Sequence, residues 1–357
     1  YMVIVSYQYN AGGAVLYTIL ADNTGTSIIS IELATIIAAV FIIAYTMLAG
    51  LLSVAYTDAA NSIIMTLALI ISLPILWIKA GSWSGMETAF AAMNKSQHMQ
   101  FGGVYSAMDI INFCLPPFLL VIGDANMYQR FSASKDVQSA RHSTTILVFA
   151  VLFIELLIIV SAWVSSSMIP EAEVGKHVLI YAAHQFLPTF LGAIMLTTIV
   201  GIIISTADSF LLVPANTLIR DIYLNYINPQ ASEKNIVRLS RLLVLLLGII
   251  AYIVSIGFSR SAGFFERALY AYTIYGAAIT PTLVAALFWR GATKEGAVAS
   301  IICGTLVTLF WKELPGLWFW LPTEWYISLD EVLPAISGSL LALICVSYLT
   351  QKADPGK

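Results

Sequence analysis

Two carboxylates lie deep inside apolar stretches of the chain, Asp208 and Glu155. A charged group near the centre of a bilayer costs at least ~2.5–3.5 kcal/mol on insertion scales and is a candidate functional group by default. Asp208 sits in Gly201-Ile-Ile-Ile-Ser205-Thr206-Ala-Asp208-Ser209. Positions 202, 205, 206 and 209 follow the i, i+3, i+4, i+7 spacing of one helix face. At about 100° per residue, Asp208 falls beside Ser205 on the same half of the helix. That face offers three hydroxyls and a carboxylate, which suits a dehydrated hard cation wanting several oxygens and little net charge. The structural alternative is that Ser and Thr bond back to the carbonyl four residues earlier or let helices approach closely. The carboxylate in the same cluster tips the reading towards the cation. Glu155, within Leu152-Phe-Ile-Glu155-Leu-Leu157, stands alone. It reads as a proton site, a substrate contact or a group paired to a neighbouring helix.

A third feature is backbone chemistry. Cys114-Leu-Pro116-Pro117 is followed by Gly123-Asp124-Ala125-Asn126. Two consecutive prolines remove two backbone donors and predict that no regular helix runs through that point. Carbonyls freed in this way must face protein or a water-lined cavity, and broken helices at mid-membrane build the substrate sites of transporters. A simple proline kink is the alternative. Asp109 and Asn112 lie on the outer half of this span. A similar interruption is predicted at Gly276 and Pro281, beneath Tyr270, Tyr272, Thr273 and Tyr275.

The elements that position these residues are apolar runs bounded by Gly, Pro and charge clusters. They give ten candidate spans, at about 1–20, 28–49, 59–78, 106–128, 143–165, 187–214, 240–258, 267–289, 294–311 and 331–349. With even-numbered connections on the cytoplasmic side, eleven of the 17 Lys and Arg residues fall there, and Lys79, Lys95, Lys176, Arg260, Arg267 and Lys312 fall outside. This distribution predicts a multi-pass protein of the plasma (inner) membrane with a cytoplasmic C-terminus. The aromatic stretch from Trp311 to Tyr326 reads as an interfacial belt on the outer face.

Composition agrees. Of 357 residues, 59% are hydrophobic and 10% are charged, with a net charge of −3, against roughly 25% charged in soluble domains. The chain is a lipid-bilayer protein with no basic stripe for nucleic acid and no nucleophile, base and oxyanion-donor set for an enzyme. No span offers a channel filter. The three cysteines and four histidines make no metal set, and no cofactor is expected.

Four stretches carry a resemblance. They are Ala44-Tyr-Thr-Met-Leu-Ala-Gly-Leu-Leu-Ser-Val-Ala-Tyr-Thr-Asp58; Gly123-Asp-Ala-Asn-Met-Tyr-Gln-Arg130; Ile204-Ser-Thr-Ala-Asp-Ser209 followed by Arg220-Asp-Ile-Tyr223; and Ala271-Tyr-Thr-Ile-Tyr-Gly-Ala-Ala-Ile-Thr-Pro281 with Leu287-Phe-Trp289. Together they resemble the sodium:solute symporter family. The resemblance implies an all-α, polytopic membrane protein of partial leucine-transporter architecture, two inverted five-helix repeats plus peripheral helices. In that frame the first span looks like the third core helix and the fourth span like the sixth. The expected organisation is 1–79 as core helices three to five, 80–105 as an extracellular loop, 106–289 as the second repeat, and 290–357 as two peripheral helices and a tail. The first two core helices are expected upstream of Tyr1, as missing N-terminal helices of the same protein, in keeping with a first span that starts without a polar flank.

The resemblance also implies sites. One sodium site matches the hydroxyls of Ser205 and Thr206 with the Ile202 carbonyl. A second, present in some members, matches Asp58 with the positions of Asp208 and Ser209. A carboxylate at 208 replaces a hydroxyl of the family pattern, so a sodium or a shared proton fits there. The rival reading of Asp58 is an N-cap for the helix that follows it. Candidate substrate-facing residues are Tyr7, Gln8, Asn10, Asn112, Pro117 and Thr273. The sugar branch of the family places an Asn and a Tyr where Pro117 and Leu120 stand here, which disfavours a sugar. The expected function is sodium-coupled import of a small polar organic solute by alternating access, with Na+ as coupling ion. Rivals are a proton-coupled carrier using Glu155 or Asp208, and a transporter-like sensor module of a signalling protein.

Overall fold

The computed structural model describes residues 1–21, 27–48, 51–100, 102–103, 105–170, 177–258, 264–311 and 329–351. Among them there is no β-strand, and thirteen α-helices carry the architecture. Long apolar segments with sparse charge bury their backbone polar groups internally, and the helix is the solution a bilayer allows.

The chain forms two compact units. The first comprises Tyr1–Gly103 and Arg130–Phe264, the second Val104–Gln129 and Phe265–Lys357.

In the first unit, α1 (Met2–Ile19), α2 (Ile31–Leu48), α3 (Leu51–Lys79) and the short α4 (Ser82–Ala92) come first. The helix α1 packs against α2 and against three later helices, and ten of its 18 residues are buried. Close approach needs small residues: a Cβ on Gly13 would lie 2.8 Å from the Thr35 backbone, and one on Gly248 2.6 Å from Ile43. Asp58 lies two turns inside α3, which corrects the N-cap reading; Leu51–Thr57 contains no helix breaker, so the helix starts upstream of the carboxylate.

The second unit opens with α5 (Ala107–Gly123) and continues into α6 (Ala125–Ser132), whose last three residues belong to the first unit. A reciprocal capping box starts α5: the Asp109 amide donates to Ser106 Oγ at 3.2 Å and the Ser106 amide to Asp109 Oδ2 at 2.8 Å. Pro116 and Pro117 sit inside α5, contrary to the expectation of a break there. Each removes one i to i−4 bond without ending the helix. The break falls at Asp124, whose backbone is extended (φ −69°, ψ 109°). Its Oδ1 accepts from the Asn126 amide at 3.0 Å, capping α6.

The chain returns to the first unit with α7 (Val137–Ser166), α8 (Val178–Gln185), α9 (Thr189–Thr217) and α10 (Glu233–Phe258). Asp136 caps α7 by accepting from the Ser139 amide at 2.7 Å, and hydrogen bonds from Ser139 hold its carboxyl below the usual range. The outer face of α7 is apolar and exposed, with Ile146, Phe149, Leu152, Phe153, Leu156 and Ile159 along it. The helix α9 packs on α1, α3 and α8, then widens into a π-helical stretch over Leu218–Ile227.

The remaining helices of the second unit are α11 (Phe264–Phe288), α12 (Lys294–Phe310) and α13 (Val332–Thr350). The predicted interruption of α11 at Gly276 and Pro281 does not occur: one helix runs through both. Gly276 instead serves packing, since a Cβ there would lie 2.6 Å from Leu119 Cβ on α5. The pair α12 and α13 is joined by buried hydroxyls, Ser300 Oγ to Ser339 Oγ at 2.8 Å.

All ten predicted spans fall on helices. Eight helical segments, counted among the described residues, are long and apolar enough to cross a membrane, and α1 and α12 are not among them. The first carries the polar run Ser6–Asn10, shielded by protein; the second has 17 residues, about 26 Å at 1.5 Å per residue against ~30 Å of hydrocarbon. The predicted aromatic belt lies outside the described residues except Trp311, whose Nε1 donates to the Leu329 carbonyl at 3.0 Å.

Candidate functional site

The polar centre of the first unit lies along the seam between α3 and α9. The helix α9 is unbroken through Gly201–Ser209, so Ser205 and Ser209 stack one turn apart with Thr206 and Asp208 between them. A Cβ on Gly201 would meet Asn61 Nδ2 of α3 at 2.8 Å, so the glycine lets the two helices close here.

Ser205 and Thr206 are half-buried. Elsewhere on α9, Thr197 and Thr198 donate to backbone carbonyls one turn back. The hydroxyls of Ser205 and Thr206 make no such bond among the described residues, which removes the back-bonding alternative for this pair. Ile202, whose carbonyl the resemblance adds to them, is 36% exposed.

Below this pair, Asp208 is 1% exposed, with the amide and hydroxyl of the adjacent Ser209 as its nearest donors and no well-formed hydrogen bond to either oxygen. It lies within electrostatic reach of Asp58 and of Arg130. Arg130, at the end of α6, pairs with Asp58 Oδ2 at 3.0 Å and donates to Ser209 Oγ at 3.2 Å. The other oxygen of Asp58 is buried and unpartnered. Arg130 thus pairs with Asp58 alone, and Asp208 lies beside that pair in surroundings where an uncompensated charge is costly and is neutralised by a proton or a small cation.

The structure thus brings Asp58, Asp208 and Ser209 together. Arg130 is the residue that sequence reasoning missed: it counted there as a cytoplasmic charge and as the end of a motif. Its signal was its place seven residues after Gly123, beyond the helix break.

The other candidates divide between the units. Tyr7, Gln8 and Asn10 are buried in α1 of the first unit. In the second, Asn112 and Thr273 are buried and Pro117 is half-buried. Glu155 lies exposed on the outer face of α7 and is not among the charges felt at Asp208.

Known proteins resemble this chain in sequence and in fold. The profile of the sodium:solute symporter family matches residues 4–304. The chain is 26% identical to a sodium/proline symporter of Haemophilus influenzae, over 97% of this chain and 69% of that protein. It is 26% identical to the high-affinity proline transporter PutP of Bacillus subtilis, over 87% of this chain and 64% of that one. The chain spans about two thirds of the length of these curated relatives. In three dimensions it resembles a Na+-coupled sialic acid symporter solved in a substrate-bound, outward-open state, with a TM-score of 0.69 at 15% identity, covering 99% of this chain and 74% of that one. That likeness carries the fold, which is leucine-transporter-like. With its family motifs on helices in this fold and its profile match running from residue 4 to residue 304, the chain belongs to the sodium:solute symporter family.

Proposed function

We propose that the protein is a sodium-coupled secondary symporter that imports a small polar organic solute by alternating access. The observation that carries this reading is the face of α9: Ser205 and Thr206 with uncommitted hydroxyls, one turn from the buried Asp208. The Ser205 and Thr206 hydroxyls with the Ile202 carbonyl would supply part of one sodium shell. Asp58, Asp208 and Ser209 would supply a second, with Arg130 as the fixed counter-charge. Sodium and solute drive each other only to the extent that both favour the same closed state.

The solute would meet Tyr7, Gln8, Asn10, Asn112, Pro117 and Thr273. Because the relatives are proline symporters at 24–26% identity, L-proline is the first solute to test. Within the family frame, α1 corresponds to the third core helix and α5 with α6 to the sixth, and the C-terminus faces the cytoplasm of the plasma (inner) membrane. The test is uptake of labelled proline, and then of a panel of small polar solutes, by the full-length protein in proteoliposomes under an inward sodium gradient. Replacing sodium by choline should abolish uptake; equal uptake in both would refute the coupling.

A further inference from the structure

The break between α5 and α6 strands peptide groups that a continuous helix would pair, namely the last carbonyls of one segment and the first amides of the next. In a membrane these groups cannot turn to bulk water. One side chain meets both sides of the break. The Tyr275 hydroxyl, on α11, donates to the Gly123 carbonyl at 2.8 Å and accepts from the Ala125 amide at 3.2 Å. The α5 side is held separately, by Thr280 donating to the Leu119 carbonyl at 2.6 Å and by the contact of Gly276 with Leu119. Tyr128 of α6 also crosses the break, donating to the Ile122 carbonyl of α5 at 3.0 Å, so it ties the two segments to each other but not to a third helix. Tyr275 is anchored on a different, unbroken helix. The angle at Asp124 cannot change without breaking at least one of its two bonds.

We propose that Tyr275 is a positioning residue for transport: its hydroxyl clamps the α5–α6 break in the arrangement seen here, and translocation exchanges these two hydrogen bonds. The clamp is read from the geometry alone, whereas its part in transport rests on the symport reading.

Three variants of the full-length protein test it. Tyr275→Phe removes the hydroxyl and keeps the ring. Ala125→Pro removes only the amide donor, and it suits the backbone: Ala125 is the first residue of α6, a position proline favours, and Asp124 already has the extended conformation required before proline. Thr280→Val removes the neighbouring bond to the Leu119 carbonyl and keeps a branched side chain against Gly123. Two readouts are taken, hydrogen exchange of the peptide spanning 123–128 and the kinetics of sodium-driven proline uptake. For Tyr275→Phe the expected result is about tenfold faster exchange in that peptide and about tenfold lower maximal uptake, with KM within about threefold, the scale of one or two lost hydrogen bonds. Ala125→Pro should lower maximal uptake by about threefold, and Thr280→Val should leave uptake and exchange as in the wild type.

Wild-type exchange in Tyr275→Phe overturns the clamp. So does a loss of uptake that Thr280→Val shares in proportion to a loss of thermal stability. If Tyr275→Phe does not fold, wild-type maximal uptake in Ala125→Pro overturns the proposal. If the wild type takes up no proline, the substrate reading fails by itself, and the exchange comparison between wild type and Tyr275→Phe still decides the clamp.

Discussion

The Arg130 guanidinium stands 3.0 Å from the Asp58 carboxylate, joining residues 72 positions apart and placing a cation against one of the two acids of the α3–α9 seam. The pair is partly exposed, with Arg130 at 41% and Asp58 at 15% of their side-chain surfaces. Its direct worth is therefore modest, and its importance lies in placing a positive charge within electrostatic reach of the buried Asp208.

Removing the cation alone should cost more than removing the pair. Arg130→Gln leaves Asp58 and Asp208 facing each other without a counter-charge and is expected to destabilise the protein by about 1–2 kcal/mol. Adding Asp58→Asn to it should recover part of that loss, giving a coupling of about 0.5–1 kcal/mol in a double-mutant cycle. Thermal unfolding in detergent reads all four forms; additivity within about 0.3 kcal/mol would show that the pair is not coupled.

Glycines of α10 and α11 should respond oppositely to one methyl group. Gly276→Ala puts a Cβ 2.6 Å from Leu119 Cβ and 3.2 Å from the Leu120 amide, so α5 and α11 must separate. A cost of about 1–3 kcal/mol is expected from overpacking. A Cβ on Gly257, near the end of α10, meets nothing within 4 Å; there alanine should be neutral or stabilise by up to about 1 kcal/mol through helix propensity. Equal thermal shifts in the two variants would contradict the packing assignment.

How far the sequence foretold this structure differs by element. Apolar length placed all ten spans on helices, because burial of backbone groups in lipid is a local demand that each stretch must meet by itself. The hydroxyl spacing at Ser205, Thr206 and Ser209 was legible for the same reason: a straight helix turns spacing into a face. The helix break was misplaced. Pro116 and Pro117 announce lost hydrogen bonds, yet where the chain bends depends on which freed groups find partners, and the partner of Gly123 is Tyr275, 152 residues away. Arg130 escaped for a like reason, since its carboxylate lies on a helix that sequence spacing cannot bring near it.

The inside-outside assignment follows from the eleven-to-six split of Lys and Arg. Single cysteines in a background lacking Cys114, Cys303 and Cys345 should be shielded from an impermeant reagent in intact cells at residues 131–141 and 221–238. They should be labelled at residues 80–105. The reverse pattern would invert the proposed topology.

Sodium coupling through α9 is tested most directly by the sodium concentration dependence of solute uptake in full-length wild type against the double variant Ser205→Ala, Thr206→Ala, each at matched membrane expression. Loss of two hydroxyl ligands, each comparable to a hydrogen bond to a charged group at about 1.5–3 kcal/mol, predicts that the half-saturating sodium concentration rises by at least about tenfold while the protein remains folded. An unchanged sodium dependence in a well-folded double variant would contradict the assignment of Ser205 and Thr206 as sodium ligands.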